Sequence, residues 1–170
     1  MKRRILALVV ALALVALVVP AAVFAVDTGT VSCTVSAVLV LVTVSDGSVD
    51  YGTVNVGATQ NTTSSGVSDT QTATNDGSAI ENFNIKSSDA AGAVNWTLAG
   101  TQDADEFTHK FSKDSGSSWT AMPADHSYTS LAIGIAKDST QTFDLQIGMP
   151  TSATDYGTHN ITVTVQAVQG

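Results

Sequence analysis

The chain has 170 residues, 13% of them charged, and a formal net charge of −8 at pH 7. All 15 acidic residues follow position 25, whereas the basic residues after position 4 are four lysines. Such a surface repels phosphate backbones and anionic lipid headgroups, which excludes nucleic acid as an expected partner and membrane as a partner of the mature chain.

The first 25 residues have the pattern of a secretory signal peptide. Basic residues at positions 2–4 precede an apolar run over 5–19, Pro20 ends this run, and Val23 and Ala25 stand at −3 and −1 of a cleavage site. The alternative is an uncleaved anchor, since about 20 apolar residues suffice to span a bilayer. We predict cleavage after Ala25 and a secreted protein, either extracellular or on the cell surface.

Residues 26–170 are predicted to form a single domain, because a chain of about 150 residues buries roughly 70% of its unfolded surface. Cys33 is the chain's one cysteine and has no internal disulfide partner. It is therefore either buried as a small hydrophobic residue or paired between chains.

The first predicted strand carries too many apolar residues for a strand that has one solvent-exposed face. Apolar and polar residues alternate over 31–36, but residues 37–44 are apolar on both faces. We predict an interaction strand whose exposed row could be donated to the sheet edge of a neighbouring copy. The alternatives are a strand that crosses between sheets and a row that a loop covers. The predicted row is Val38, Val40, Val42 and Val44.

Residues 58–79 are almost entirely polar and are interpreted as a loop with a weak edge strand near 70–74. This region begins near the first of three Asn-x-Thr sequences, at Asn61, Asn95 and Asn160, whose glycosylation the sequence leaves open.

Period-two alternation continues to the end of the chain, with no convincing 3.6-residue period. Each run has one apolar face for the core and one polar face for solvent, as strands of antiparallel sheets do. Leu131, Ile133 and Ile135 are expected on a buried face, and Asp144 is expected on a solvent-exposed face. We predict an all-β fold, a two-sheet antiparallel sandwich of immunoglobulin-like or jelly-roll type with about nine strands. The alternating runs are 82–86, 94–98, 107–111, 131–135, 143–149 and 161–167.

Residues 112–119 have the spacing S-x-D-x-G-x-x-W, which resembles the Asp-box, a β-hairpin motif of sialidases and other secreted β proteins. The resemblance implies that Ser112 and Asp114 bond turn amides, that Gly116 takes a positive φ, and that Trp119 packs beneath the turn. We interpret this single copy as a stabiliser of one hairpin.

No catalytic, cofactor-binding or metal-binding residues are predicted, and we do not expect an enzyme. The acidic loop at 103–106 supplies too few oxygens for calcium and is interpreted as solvated. His109, His126 and His159 lack metal-binding spacing, and His109 is expected in the core or at an edge with a satisfied ring. No G-x-S-x-G sequence accompanies the many serines.

Three stretches together resemble uncharacterised exported β-sandwich surface proteins of bacteria and, loosely, WxL-type cell-wall-binding domains. This resemblance implies an exported surface domain. The second Trp-x-Leu motif of that family is absent, because residues 161–165 contain no Trp, so wall binding by its mechanism is not carried over. The stretches are 44–54, Asn95-Trp96-Thr97-Leu98 and 149–165.

Two functions follow as hypotheses. The first is a non-enzymatic structural or interaction protein that self-assembles through its N-terminal strand. The alternative is a carbohydrate-binding or cell-wall-binding module, whose partner is a cell-surface polymer and whose ligand platform is Trp119, Tyr128 and Tyr156.

Overall fold

The computed structural model describes residues 28–170, so the predicted signal peptide lies outside the described residues. The chain divides into two units, Met1–Ser36 and Ala37–Gly170, and every strand of the described part belongs to the second. Within residues 28–170 no helix is long and apolar enough to cross a membrane.

The second unit contains ten strands in two sheets. The seven-stranded sheet has the order β1-β3-β9-β6-β5, with β2 also paired to β9 and β7 to β6, and the three-stranded sheet has the order β10-β4-β8. All pairs are antiparallel except β5 with β6, which is parallel. The strands are β1 (Val42–Ser45), β2 (Thr59–Asn61), β3 (Gln71–Asn75), β4 (Glu81–Ala91), β5 (Thr97–Leu98), β6 (Glu106–Ser112), β7 (Thr120–Ala121), β8 (Thr129–Ile135), β9 (Thr140–Gly148) and β10 (Asn160–Gln169).

The two sheets pack face to face over a main core to which both contribute, so the predicted all-β two-sheet sandwich is confirmed. Phe83 and Ile85 of β4 meet Phe111 of β6 and Phe143 and Leu145 of β9, as the alternation of these runs predicted. Their large apolar side chains leave water when the faces join, which is the main source of stability in such folds. The buried residues of the main core are Ala73, Phe83, Ile85, Phe111, Met122, Leu131, Ala132, Phe143 and Leu145.

A smaller second core lies around Trp96, which is buried with its neighbours from β4, β5, β6 and β9. The remaining members of this second core are Ala90, Leu98, Phe107 and Ile147.

The prediction that Ile133 shares the buried face of Leu131 is wrong. Leu131 and the adjacent Ala132 are both buried, whereas Ile133 is 77% exposed. The pairing of β8 with β4 shifts register around Phe83, and Gly134 has a φ of 69°. An extra residue in β8 places Ala132 opposite Phe83 on the buried face and leaves Ile133 outside, and a second register shift returns Ile135, opposite Glu81, to the main core.

Two predictions about polar segments are also wrong. Asp144 is buried rather than wet, because hydroxyls of Thr62 and Thr70 donate to its carboxylate at 3.1 and 2.7 Å. The strand predicted near 70–74 forms as β3, but it lies between β1 and β9 rather than at an edge. Hydrogen bonds therefore let the polar stretch bury residues that hydropathy assigns to solvent.

The turn at 112–119 is held by side chains that bond to its backbone. Ser112 Oγ donates to Asp114 and accepts from the Gly116 amide at 2.9 Å, and Asp114 accepts from the Ser118 amide at 2.9 Å. The Ser112 hydroxyl, followed by the hydroxyl and amide of Ser118, lowers the pKa of Asp114 to about 2. Gly116 has a φ of 84°, and its missing Cβ would lie 3.3 Å from the Trp119 ring.

We expect Gly116→Ala to destabilise the protein by about 1–2 kcal/mol through its left-handed backbone alone. The added Cβ would also lie 2.8 Å from Thr63 Cγ2. Urea unfolding followed by tryptophan fluorescence measures the loss. Gly100→Ala is the matched control, because nothing lies within 4 Å of its Cβ position. Equal midpoints for the two variants would contradict the assigned turn geometry.

Candidate functional site

The predicted valine row divides between the core and the surface. Val42 and Val44 are half-buried and pack against the main core, whereas Val38 and Val40 are 47% and 38% exposed. Leu39 and Leu41 are exposed as well. We call Val38, Leu39, Val40 and Leu41 the leading patch. Consecutive exposed apolar side chains of this size are typical of contact sites.

The backbone of the leading patch is held from one side. The Leu39 amide donates to Ser78 Oγ and the Leu41 amide to Glu81 Oε1, both at 2.9 Å. In return, Leu39 and Leu41 carbonyls accept from the amides of Ser78 and Asp76. The strand that follows, β1, is the terminal strand of its sheet. The patch therefore leads into a sheet edge of the kind that accepts or supplies strands.

Residues 28–36, which we call the free segment, contain no strand, and every one of them is exposed. Its two valines are almost fully exposed, Val31 at 89% and Val35 at 96%. Cys33 is exposed too, so the alternative in which it is buried as a small hydrophobic residue is wrong. The remaining alternative, a pairing between chains, stays a prediction.

A cleft of about 1340 Å³ opens in the Ala37–Gly170 unit where both sheets end. One wall includes Val44 of β1, the opposite wall carries Val163 and Val165 of β10, and Phe143 and Leu145 of β9 contribute from the main core. Because β1 and β10 are each terminal in their sheets, this is the open side of the sandwich.

Residues 47–56, the crossing segment, run along this cleft without joining either sheet. Val49 and Tyr51 pack against the main core, but no backbone hydrogen bond ties residues 49–54 to a strand of the described chain. Side-chain packing, rather than a ladder of backbone hydrogen bonds, therefore holds the crossing segment. Val49 and Tyr51 flank the polar Asp50, which is the alternation of an extended stretch, but this pattern did not indicate the lack of a partner strand.

A buried histidine anchors the crossing segment. His109 Nε2 lies 3.0 Å from the Tyr51 hydroxyl, and its Nδ1 lies 2.8 Å from Ser87 Oγ. The prediction of a core histidine with a satisfied ring is confirmed. Burial lowers the pKa of His109 to about 4, and burial together with the charge of Asp69 raises the pKa of Tyr51. At neutral pH the ring is uncharged, so one nitrogen donates and the other accepts.

One end of the cleft is built from Trp96 and His159, whose rings stack with centroids 3.6 Å apart. Asp155 accepts from the amides of Gly157 and Val94, which lowers its pKa. Trp96 Nε1 is buried and has no acceptor among the described residues. A buried N–H without a partner is costly, so this atom is a local weak point of the second core.

The three aromatic residues predicted as a ligand platform lie on different elements. Trp119 is half-buried at the end of the 112–119 turn. The Lys86 ammonium lies over the Tyr128 ring, 4.7 Å from its centroid. Tyr156 is exposed in the loop that leads to β10 and borders the cleft. No ring pair joins any two of them in the described chain.

The acidic loop is organised by bonds within the protein. The Thr154 hydroxyl and amide donate to Asp105, which lowers its pKa, and Asp103 accepts from the Ala104 amide. Across residues 28–170 no group of three or more His, Cys, Asp or Glu side chains is arranged to hold a metal ion. The backbones of Asp103 and Glu106 bond to each other, so this loop forms a turn.

Comparisons of the chain with protein-family models, with curated proteins and with solved structures found no match. The resemblances to WxL-type domains and to the Asp-box stay predictions.

Proposed function

We propose that this protein is a non-enzymatic structural or interaction protein, secreted or held at the cell surface, that self-assembles through its N-terminal strand. The observation that carries the proposal is the apolar exposure of residues 31–41, which lead into the edge strand β1. A solitary molecule gains nothing by presenting these side chains to water, whereas a neighbour that covers them stabilises the pair.

The charge distribution supports the same function. The acidic surface keeps copies apart, but residues 28–45 contain no charged side chain. Copies can therefore approach through this stretch without adding like-charge repulsion at the point of contact.

The geometry offers less to the other functions. Ser87 lies beside His109, but both are buried and Tyr51 occupies the second ring nitrogen, so the pair presents no group to a substrate. A carbohydrate platform needs adjacent exposed rings, whereas Trp119, Tyr128 and Tyr156 lie on separate elements.

We expect the double variant Val31→Asp, Val35→Asp to abolish assembly of the mature chain. In an added strand both side chains would face the acceptor, and burying two unpaired carboxylates would outweigh the contact. Size-exclusion chromatography with light scattering over a range of concentrations measures the molecular mass.

The matched control is Ser32→Asp, Thr34→Asp, which adds the same charge to the same exposed segment at positions of opposite parity. Its assembly should match that of the wild type, because these side chains would face solvent in an added strand. A wild-type chain that remains monomeric would reject the proposal. So would a control variant whose assembly is lost to the same extent as that of Val31→Asp, Val35→Asp.

A further inference from the structure

The cleft has the shape of a sandwich that lacks one strand. Val163, Val165 and Ala167 of β10 face the main core, yet they are only half-buried. The reason is that β10 ends its sheet and pairs only with β4 among the described strands. A further strand along β10 would cover these side chains and bond the free edge of β10.

The size and lining of the cleft favour a polypeptide occupant. Its volume of about 1340 Å³ exceeds the roughly 300–1,000 Å³ typical of small-molecule pockets. Asp50 is the one carboxylate among the residues that line it, and the walls are otherwise apolar or uncharged.

The free segment has the properties that this site requires. It is fully exposed, it carries no charge, and Val31, Cys33 and Val35 alternate with hydroxyl residues. In an extended strand these three side chains would share one face, while Ser32 and Thr34 would face the other. Five residues span roughly 17 Å at about 3.3 Å each, which the ten residues of β10 accommodate.

We propose that the cleft is the acceptor of this assembly, and that it takes the free segment of a second copy as a strand added along β10. Val31, Cys33 and Val35 enter between β10 and the crossing segment. This inference rests on the proposed function, to which it adds the acceptor surface and the register face of the donor. Each copy then donates one strand and accepts one, so repetition of the contact joins copies into an assembly.

Disulfide trapping between copies tests the acceptor. The donor is the wild-type chain, whose one cysteine is the exposed Cys33. The acceptor carries Cys33→Ser with Val163→Cys or Val165→Cys, both on the cleft wall. The control acceptor carries Cys33→Ser with Thr164→Cys, half-buried like its neighbours but bordering the outer face of the same strand.

After mild oxidation of the mixture, we expect about tenfold more covalent heterodimer with a cleft-wall acceptor than with the Thr164→Cys acceptor, because disulfide formation needs Cβ atoms about 4 Å apart. Equal yields from all three acceptors would overturn the inference. So would the absence of any heterodimer under conditions in which the wild type assembles.

Alkylation of Cys33 in the unmodified chain provides a measurement that no substitution can disturb. The exposed thiol should react at the rate of a free thiol in the monomer, and at least about tenfold more slowly in the assembled fraction, where it would be enclosed. An unprotected Cys33 in assembled protein would overturn the inference.

The outcomes separate the two proposals. If Val31→Asp, Val35→Asp abolishes assembly but no disulfide forms at the cleft wall, the proposed function is kept and this acceptor is rejected. A wild-type chain that never assembles would reject both.

Discussion

Replacing Phe83 with alanine should lower the free energy of unfolding by about 3–5 kcal/mol, which is the usual cost of removing a large buried aromatic side chain. Phe83 has no exposed surface and lies in the main core between the two sheets. Its removal leaves a cavity that the facing sheet cannot fill without moving. Since small domains are stable by only about 5–15 kcal/mol, this single change should bring the protein close to unfolding.

Ile133→Ala is the matched control for Phe83→Ala, because it deletes an apolar side chain from the neighbouring strand. Ile133 is exposed by the bulge between β8 and β4, so its loss should change stability by less than about 0.5 kcal/mol. Urea midpoints of both variants, measured where the chains are monomeric, give the comparison. A large loss for Ile133→Ala would show that β8 follows the plain alternation of its sequence.

Acidification from pH 7 to pH 4.5 should destabilise the protein through His109. Burial lowers the pKa of this ring from 6.5 to about 4. Between these values the unfolded chain binds a proton that the folded chain does not, so stability falls as the pH falls through this window. The difference between the two pKa values corresponds to about 3 kcal/mol when the window has been crossed completely.

His109→Gln separates this effect from that of the carboxylates. The glutamine side chain can still donate and accept a hydrogen bond but does not titrate. We expect the variant to be less stable at pH 7 and to lose little further stability down to pH 4.5. Asp114, whose pKa is lowered to about 2, contributes only at lower pH, because its stabilisation is lost as the pH falls below its unfolded value of 3.8. The same steep loss in the variant would assign the acid sensitivity to another group.

The architecture was largely predictable because it depends on alternation, which each strand carries in its own residues. Phe83 with Ile85, and Phe143 with Leu145, occupy the faces that their spacing indicates. Ile133 departs from the pattern because a bulge depends on pairing with β4, which is distant in sequence. Asp144 departs because its partners, Thr62 and Thr70, belong to another segment.

The candidate site was predictable in part. The double-faced apolar stretch indicated an exposed patch, and Val38 and Val40 are exposed, but Val42 and Val44 pack on the main core. The cleft left no local signal, because it exists only where β1 and β10 each end a sheet. Strand order is set by contacts between distant residues, and a single sequence does not display them.

The pairing of β10 with β4 has a consequence for the order in which the molecule is built. Gln169 pairs with Glu81, and Asn160 with Ala91, so the partner of β4 is synthesised well after β4 itself. Until then β4 lacks one of its two neighbours and the main core lacks a wall. Closing such long loops is slow, since their entropy must be lost before the pairing compensates. A nascent chain of this protein therefore stays incompletely folded until β10 has been synthesised and is free to pair with β4.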